Sequence, residues 1–219
     1  MENLSSLKEQ IVEGGCRLLR EGLVARTWGN ISIRVDDAHM LITPSGRSYE
    51  QLSPDDIVLV NYLTSKYKGT VKPSSEKELH CEIYRTRQDV HSVIHTHQMN
   101  ASTVAASHRE VPLLAEDMTR ILGPTVRVAG YALPSTKKIT KKTVRALEGR
   151  NAALMANHGA VCTGRNLDEA FMVCLTLEKA CKAFIEAEFL GGTKSQQDFE
   201  TDLMHQYYLH KYSVKTGRE

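Results

Sequence analysis

The chain of 219 residues contains no apolar run long enough to span a bilayer. Its opening stretch, MENLSSLKEQ, lacks the basic and apolar segments of a secretory signal. A cytosolic protein that meets no membrane is the expectation. Cysteine is sparse and carries no pairing pattern: Cys16, Cys81, Cys162, Cys174 and Cys181 are odd in number and include no Cys-x-x-Cys. A disulfide framework or a cysteine zinc site is therefore not expected, and the five read as reduced core thiols, because free cysteine packs as a small hydrophobe. Charge excess is missing too. The net charge is +2, with Lys137-Lys138 and Lys141-Lys142 the densest basic clusters, so no nucleic-acid partner is indicated. Repeats and low-complexity tracts are absent, and the one candidate linker is GGTKSQQ. What is there, 41% hydrophobic and 25% charged residues, is the composition of one globular α/β domain with a C-terminal tail.

The apolar pattern alternates between helix and strand. Leu4, Leu7, Ile11, Leu18 and Leu19 recur near helical spacing, and Gly22 closes that segment. Ile31, Ile33 and Val35 then alternate with polar residues, as a half-buried strand does. MLIT and IVLV read as two more strands, divided by the turn-rich PSG and SPDD. Ser75 and Glu78 match the Ser-x-x-Glu capping box and predict a helix from there to about Arg87. Next come a short helix over 98–107, a strand in TVRVAGYAL, a basic amphipathic helix in TKKITKKTVRALEG, and a strand in AALMANHGAVCTG interrupted at Asn157-His158-Gly159. A helix capped by Asn166 and Glu169 carries Ala170, Cys174, Leu177, Cys181 and Phe184 on one stripe and stops at Gly191-Gly192. That stripe reads as core.

One stretch departs from this background. In DVHSVIHTHQMN, from Asp89 to Asn100, His91, Val93, His95 and His97 fall on one face of a strand. Neighbouring imidazoles at His95 and His97 can clasp one metal ion without backbone distortion, although a short His-x-His alone is often just a polar strand edge. His158 follows an apolar run and precedes a glycine, which is how a strand delivers a side chain to a cleft. Three histidines make the ligand set of an open zinc site, whose remaining position is left for water or substrate. Glu76 sits at a predicted helix start, where a carboxylate ordinarily complements the helix dipole. The same helix start, with WGN and TPSGRS, offers three loops that a phosphate could approach.

In this combination the chain resembles the class II aldolase/adducin family, in particular its L-fuculose-1-phosphate aldolase type, up to about Gly192. Gly29-Asn30 in WGNISIR, Ser45-Gly46 in ITPSGRSYEQL, Ser74-Ser75-Glu76 in KPSSEKELH, His95 and His97 in VIHTHQ and His158 in NHGAV occur in the family's order and spacing. The resemblance implies a three-layer α/β/α sandwich around a largely antiparallel sheet, over residues 1–192, with a tail at 193–219 expected at a subunit interface. It implies one zinc ion per subunit on His95, His97 and His158, with Glu76 both a resting ligand and the catalytic acid/base. It implies a phosphate pocket from Gly29, Asn30, Ser45, Gly46, Ser74 and Ser75, and a homotetramer with sites between subunits. The activity implied is zinc-dependent retro-aldol cleavage of a ketose 1-phosphate, L-fuculose 1-phosphate or a related deoxy-pentulose 1-phosphate, to dihydroxyacetone phosphate and an aldehyde.

Two departures bear on the aldehyde. AEDMT follows VPLL where the family's fuculose-phosphate aldolases place a tyrosine, and YALPST has Pro134 where an aromatic is expected. Glu116 or Asp117 could there orient a hydroxyl, and a 5-deoxy- or methylthio-pentulose 1-phosphate becomes a candidate substrate. In the tail, Tyr212, or Tyr208, is a candidate for acid chemistry in a neighbouring subunit's site. Two other readings are weighed: an L-ribulose-5-phosphate 4-epimerase-like enzyme, in which the family usually has aspartate at the position of Glu76, and a non-enzymatic adducin-like binding module, which would be expected to lose the histidines.

Overall fold

The computed structural model describes residues 3–25, 27–112, 114–193 and 198–211. Helix α1 (Leu4–Arg20) leads into strands β1 (Asn30–Arg34) and β2 (His39–Ile42), followed by β3 (Val58–Asn61), β4 (Lys66–Tyr67), helix α2 (Lys77–Thr86), β5 (Ser92–Thr96) and α3 (Met99–Ala106). The second half holds α4 (Glu116–Leu122), β6 (Arg127–Ala129), α5 (Lys137–Ala146), β7 (Ala152–Met155), β8 (Gly159–Gly164), α6 (Leu167–Phe189) and α7 (Asp198–Lys211). The strands form one sheet in the order β4-β3-β2-β1-β5-β8-β7-β6. Every neighbouring pair is antiparallel except β6 with β7.

Both faces of the sheet are covered, as the resemblance implied. On one side Ile31, Ile94 and Leu154 pack beneath α1, α3 and α6; on the other Met40, Val93 and Val161 pack beneath α2 and α5. Helix α6 supplies much of the first core. Its apolar residues recur every three or four positions from Ala170 to Phe184 and are buried, and each large aliphatic or aromatic side chain removed from water contributes about 1.5–3 kcal/mol. The Asn166 side chain accepts the Glu169 N–H at its start, and Gly191 and Gly192, both at positive φ, follow its end. Among the described residues no helix is long and apolar enough to cross a membrane.

Three local expectations change. Strand β1 is buried on both faces, not half-buried, because α2 covers the side on which Ser32 and Arg34 point. The Arg34 guanidinium there donates to the carbonyls of Tyr84, Arg87 and Val90 and to the Tyr62 hydroxyl. The capping box does not form at Ser75. Helix α2 starts one residue later with Glu76 as its N-cap, Ser74 Oγ accepts the Glu76 N–H at 3.2 Å, and the Glu78 carboxylate is drawn to Ser65 Oγ and Lys77 instead. The interruption at Asn157-His158-Gly159 is a full reversal: β7 and β8 pair antiparallel as far as Met155 with Gly159, and Asn157 takes a left-handed φ of 54° in the turn.

The sequence pattern gave no sign of α7. It packs against α4, where His205 Nδ1–H donates to Arg120 O at 2.7 Å. Its far end is held by Arg165, which donates to Leu209 O and pairs with Glu169. All five cysteines are free thiols, four of them buried.

Gly159 leaves no room for a side chain. A Cβ there would lie 2.3 Å from Thr96 O across the β5–β8 seam. Gly159→Ala should force the strands apart and cost about 2 kcal/mol or more, as overpacking does, lowering the thermal midpoint by roughly 4–8 °C. Calorimetry or circular dichroism on the purified variant measures it, and an unchanged midpoint would show that the seam yields freely.

Candidate active site

The register of the central strands brings the chemistry together. Asn30 opens β1 directly opposite His95 of β5, and β5 pairs in turn with β8, whose first residue follows His158. His97 lies one residue beyond β5, so the strand is shorter than DVHSVIHTHQMN suggests. The chain after it is anchored at once: Gln98 Nε2 donates to Cys174 O at 2.9 Å, and the Glu178 carboxylate accepts the N–H groups of Asn100 and Ala101 at the start of α3. Two glycines permit the close approach. Gly29 takes φ +82°, and a Cβ on it would sit 2.6 Å from His95 O; Gly159 lies against Thr96 on the opposite side.

The three imidazoles meet nearly edge to face, with ring centroids 4.7, 4.8 and 5.1 Å apart. His95 Nδ1–H donates to Ala160 O at 2.8 Å, which turns the lone pair of its Nε2 inward. That Nε2 lies 2.8 Å from His97 Nε2 and 3.2 Å from Glu76 Oε2, while His158 Nε2 lies 3.4 Å from Glu76 Oε1. Burial, reinforced by His95 and His158, pushes the His97 pKa down to about 3, and burial with His95 also lowers that of His158. Burial would raise the Glu76 carboxyl, but His95, His158 and the Asn30 amide outweigh it and hold it below the ordinary carboxylate range. The uncharged rings of His97 and His158 thus face one ionised carboxylate.

This donor set fits a divalent cation. A tetrahedral ion with bonds of 2.0–2.1 Å has ligand atoms about 3.3 Å apart, and the observed separations of 2.8, 3.2 and 3.4 Å bracket that edge. Each of the three histidines offers one ligand atom, and the three atoms lie within 4.8 Å of one another. The buried His158 Nδ1 finds no hydrogen-bond partner among the described residues.

Beside the histidines opens a cleft of about 220 Å³ lined by Gly29, Asn30, Ser45, Gly46, Ser74 and Ser75, with Glu76, His97 and His158 at its floor. Two of the loops expected to approach a phosphate are tied edge to edge: Ser45 N donates to Lys72 O and Ser74 N donates to Thr43 O, each at 3.0 Å. Their backbone and hydroxyl groups therefore hold a fixed spacing.

A family model described as the Class II Aldolase and Adducin N-terminal domain matches residues 9–185. The chain belongs to the class II aldolase and adducin family. A 5-deoxy-D-ribulose 1-phosphate aldolase of Bacillus thuringiensis serovar kurstaki is 33% identical over 87% of this chain and 90% of its own length. A 5-methylthioribulose-1-phosphate/5-deoxyribulose-1-phosphate aldolase of Rhodospirillum rubrum is 32% identical over 89% of this chain and 90% of its own. A solved L-fuculose 1-phosphate aldolase superposes with a TM-score of 0.88 at 32% identity, covering 95% of this chain and 98% of that one. With such relatives the chain is an aldolase-type lyase of the family.

Other expected residues lie elsewhere. Glu116 and Asp117 occupy the first turn of α4, exposed; Glu116 pairs with Arg120 at 3.4 Å and Asp117 accepts the Met118 N–H, and neither lines the cleft of its own chain. The Tyr208 hydroxyl donates to Glu169 within its own chain at 3.4 Å, and Tyr212 falls outside the described residues. Sequence reasoning flagged Pro134, and Trp28 only within the WGN loop, and missed Thr27 and Ser135, all four of which also line the cleft. It also missed His80, which the i, i+4 spacing from Glu76 on one helix could have exposed.

Purified protein should carry close to one divalent ion per chain by inductively coupled plasma mass spectrometry, and His95→Ala, His97→Ala and His158→Ala should each release most of it. Full occupancy in the triple variant would place the ion elsewhere.

Proposed function

We propose that the chain is a zinc-dependent lyase that cleaves a 5-deoxypentulose 1-phosphate, such as 5-deoxyribulose 1-phosphate, into dihydroxyacetone phosphate and a short aldehyde. The observation that carries this reading is the convergence of three histidine nitrogens and an ionised Glu76 at the floor of a cleft walled by paired glycine- and serine-bearing loops. The names of the relatives from Bacillus thuringiensis and Rhodospirillum rubrum motivate the deoxy sugar. Three imidazoles without a cysteine suit zinc in an open, catalytic setting. A homotetramer with sites shared between subunits is part of the same proposal.

Breaking the C3–C4 bond of a ketose 1-phosphate leaves the electron pair on the three-carbon fragment. Zinc held by His95, His97 and His158 would supply the Lewis acidity that draws charge toward the fragment's oxygens. The chain's own groups do the rest. Ser45, Gly46, Ser74 and Ser75, with Gly29, hold the phosphate and so fix which carbon faces the histidines. The Asn30 amide donates to Glu76 Oε2 at 3.1 Å and fixes the carboxylate's orientation. The proton released as the C4 hydroxyl becomes the aldehyde carbonyl passes to the ionised Glu76, which returns it to C1 of dihydroxyacetone phosphate, the carbon that was C3 of the ketose. Trp28, half exposed beside His97 with ring centroids 6.1 Å apart, and Pro134 give the cleft an apolar side toward which a deoxygenated aldehyde end can turn.

A panel of 5-deoxyribulose, methylthioribulose, L-fuculose and L-ribulose 1-phosphates, read by dihydroxyacetone phosphate release, should show the 5-deoxy sugar cleaved with the highest kcat/KM. L-ribulose 5-phosphate should not be epimerised. Epimerisation without cleavage would replace this reading with a 4-epimerase, and neither reaction in metal-loaded protein would favour a binding module.

Glu76→Gln keeps the side chain's size but removes the base. It should lower kcat by about 10²-fold or more while inorganic phosphate still binds in isothermal titration. Near-normal turnover would assign the proton transfer to another group.

A further inference from the structure

Behind Glu76 lies a chain of polar groups wholly removed from water. Asn30 is 3% exposed, and Ser32, His80 and Tyr84 are at 0%. Polar groups at such depth are retained only when each is satisfied, and a satisfied set admits very few arrangements of its hydrogens.

Here the directions follow one from another. The Asn30 amide presents Nδ2–H to Glu76 Oε2, at 3.1 Å. Its Oδ1 consequently faces His80 Nε2, which must carry the ring proton in order to donate to it. His80 Nδ1 is then an acceptor, and Ser32 Oγ–H, 2.6 Å away, donates to it. With that hydroxyl proton spent, the Tyr84 hydroxyl donates to Ser32 Oγ at 2.8 Å. Burial and the nearby His95 push the His80 pKa down to about 3, so the ring is neutral and has a single proton to place.

We infer that His80 is a positioning residue of the active site: held as its Nε2–H tautomer by Ser32 and Tyr84, it locks the Asn30 amide so that Nδ2 serves Glu76 and cannot flip. With a flipped amide, Oδ1 would face the Glu76 carboxylate, two acceptors in contact, and the acid/base would turn away from its working orientation. The geometry rests on the strands: Asn30 and Ser32 are two apart on β1 and share a face, while His80 and Tyr84, one turn apart on α2, meet them from above. The kinetic consequence rests on the lyase reading given above; the tautomer does not.

Two measurements test it. Long-range ¹H–¹⁵N spectra of the metal-free protein, which need no turnover, should show His80 with its proton on Nε2; an Nδ1–H tautomer would overturn the inference whatever the substrate proves to be. In metal-loaded protein, His80→Leu should keep its ion content and lower kcat by roughly 10-fold or more, the usual effect of removing an outer hydrogen-bond partner. KM should move less than about threefold, because ground-state binding is untouched. His80→Gln, whose amide can place a donor near the lost Nε2–H, should recover most of that kcat. In an Asn30→Ala background His80→Leu should cost nothing more, since its route to Glu76 is gone. Equal impairment of the Leu and Gln variants, or full additivity with Asn30→Ala, would reduce His80 to core packing. Should His80→Leu not fold, the Gln variant, the cycle of Gln with Asn30→Ala and the wild-type tautomer carry the decision. Absence of cleavage in every protein, with the Nε2–H tautomer present, would count against the lyase reading and leave the positioning role standing.

Discussion

Everything at this site depends on holding three imidazoles, with His97 and His158 uncharged, within reach of one ionised carboxylate. Protonated histidines would bind Glu76 as ion pairs and close the site to a cation. Burial prevents this, by making a positive ring costly wherever water is excluded. The rest of the architecture serves that exclusion: two helical layers cover the sheet, α2 seals the polar face of β1, and the glycines let backbone replace solvent around the rings. The same depth would be ruinous for stray polar groups, and the run from Asn30 to Tyr84 shows how they are accommodated, each one satisfied by the next.

Much of this could be read from the chain, because the informative signals are short and rigid. The His-x-His of β5, the glycine after His158 and the serine pair before Glu76 each constrain side-chain direction within a few residues. Periodicity located α1 and α5, whose stripes are strong, and, together with its cap, α6. Elements defined by what they touch were less legible. Helix α7 has almost no sidedness of its own, and partners such as Arg120, Arg165 and Glu169 lie far from it in sequence. The capping box at Ser75 failed because Glu78 found other partners, Ser65 and Lys77, which sequence spacing cannot reveal. Nor could spacing foresee that Ser32 and Arg34, which alternate with apolar residues as an exposed face would, point into a second core.

The aldehyde side of the cleft is the least determined by family pattern. Trp28, Pro134 and Ser135 bring an apolar ring, a rigid ring and a left-handed backbone turn to the lining of the cleft that also holds Glu76. Contacts of this kind discriminate substrates by only about 1–3 kcal/mol per methylene, so closely related lyases can share the floor of the site and differ in its rim. That division agrees with a chain about equally similar to relatives named for two different sugar phosphates.

The zipped loops and the hairpin also decide when in the life of the chain the site comes into being. Its groups are drawn from Gly29 through His158, and the sheet order places β8 beside β5 although α3, α4, β6, α5 and β7 intervene in sequence. Contacts so distant along the chain form late, after the cost of closing long loops has been met. During synthesis, therefore, the two histidines of the His-x-His emerge long before their third companion. Until the β7–β8 turn has left the ribosome, the nascent chain holds only two of the three imidazoles, and completion of the candidate site becomes a closing event of folding, not its seed.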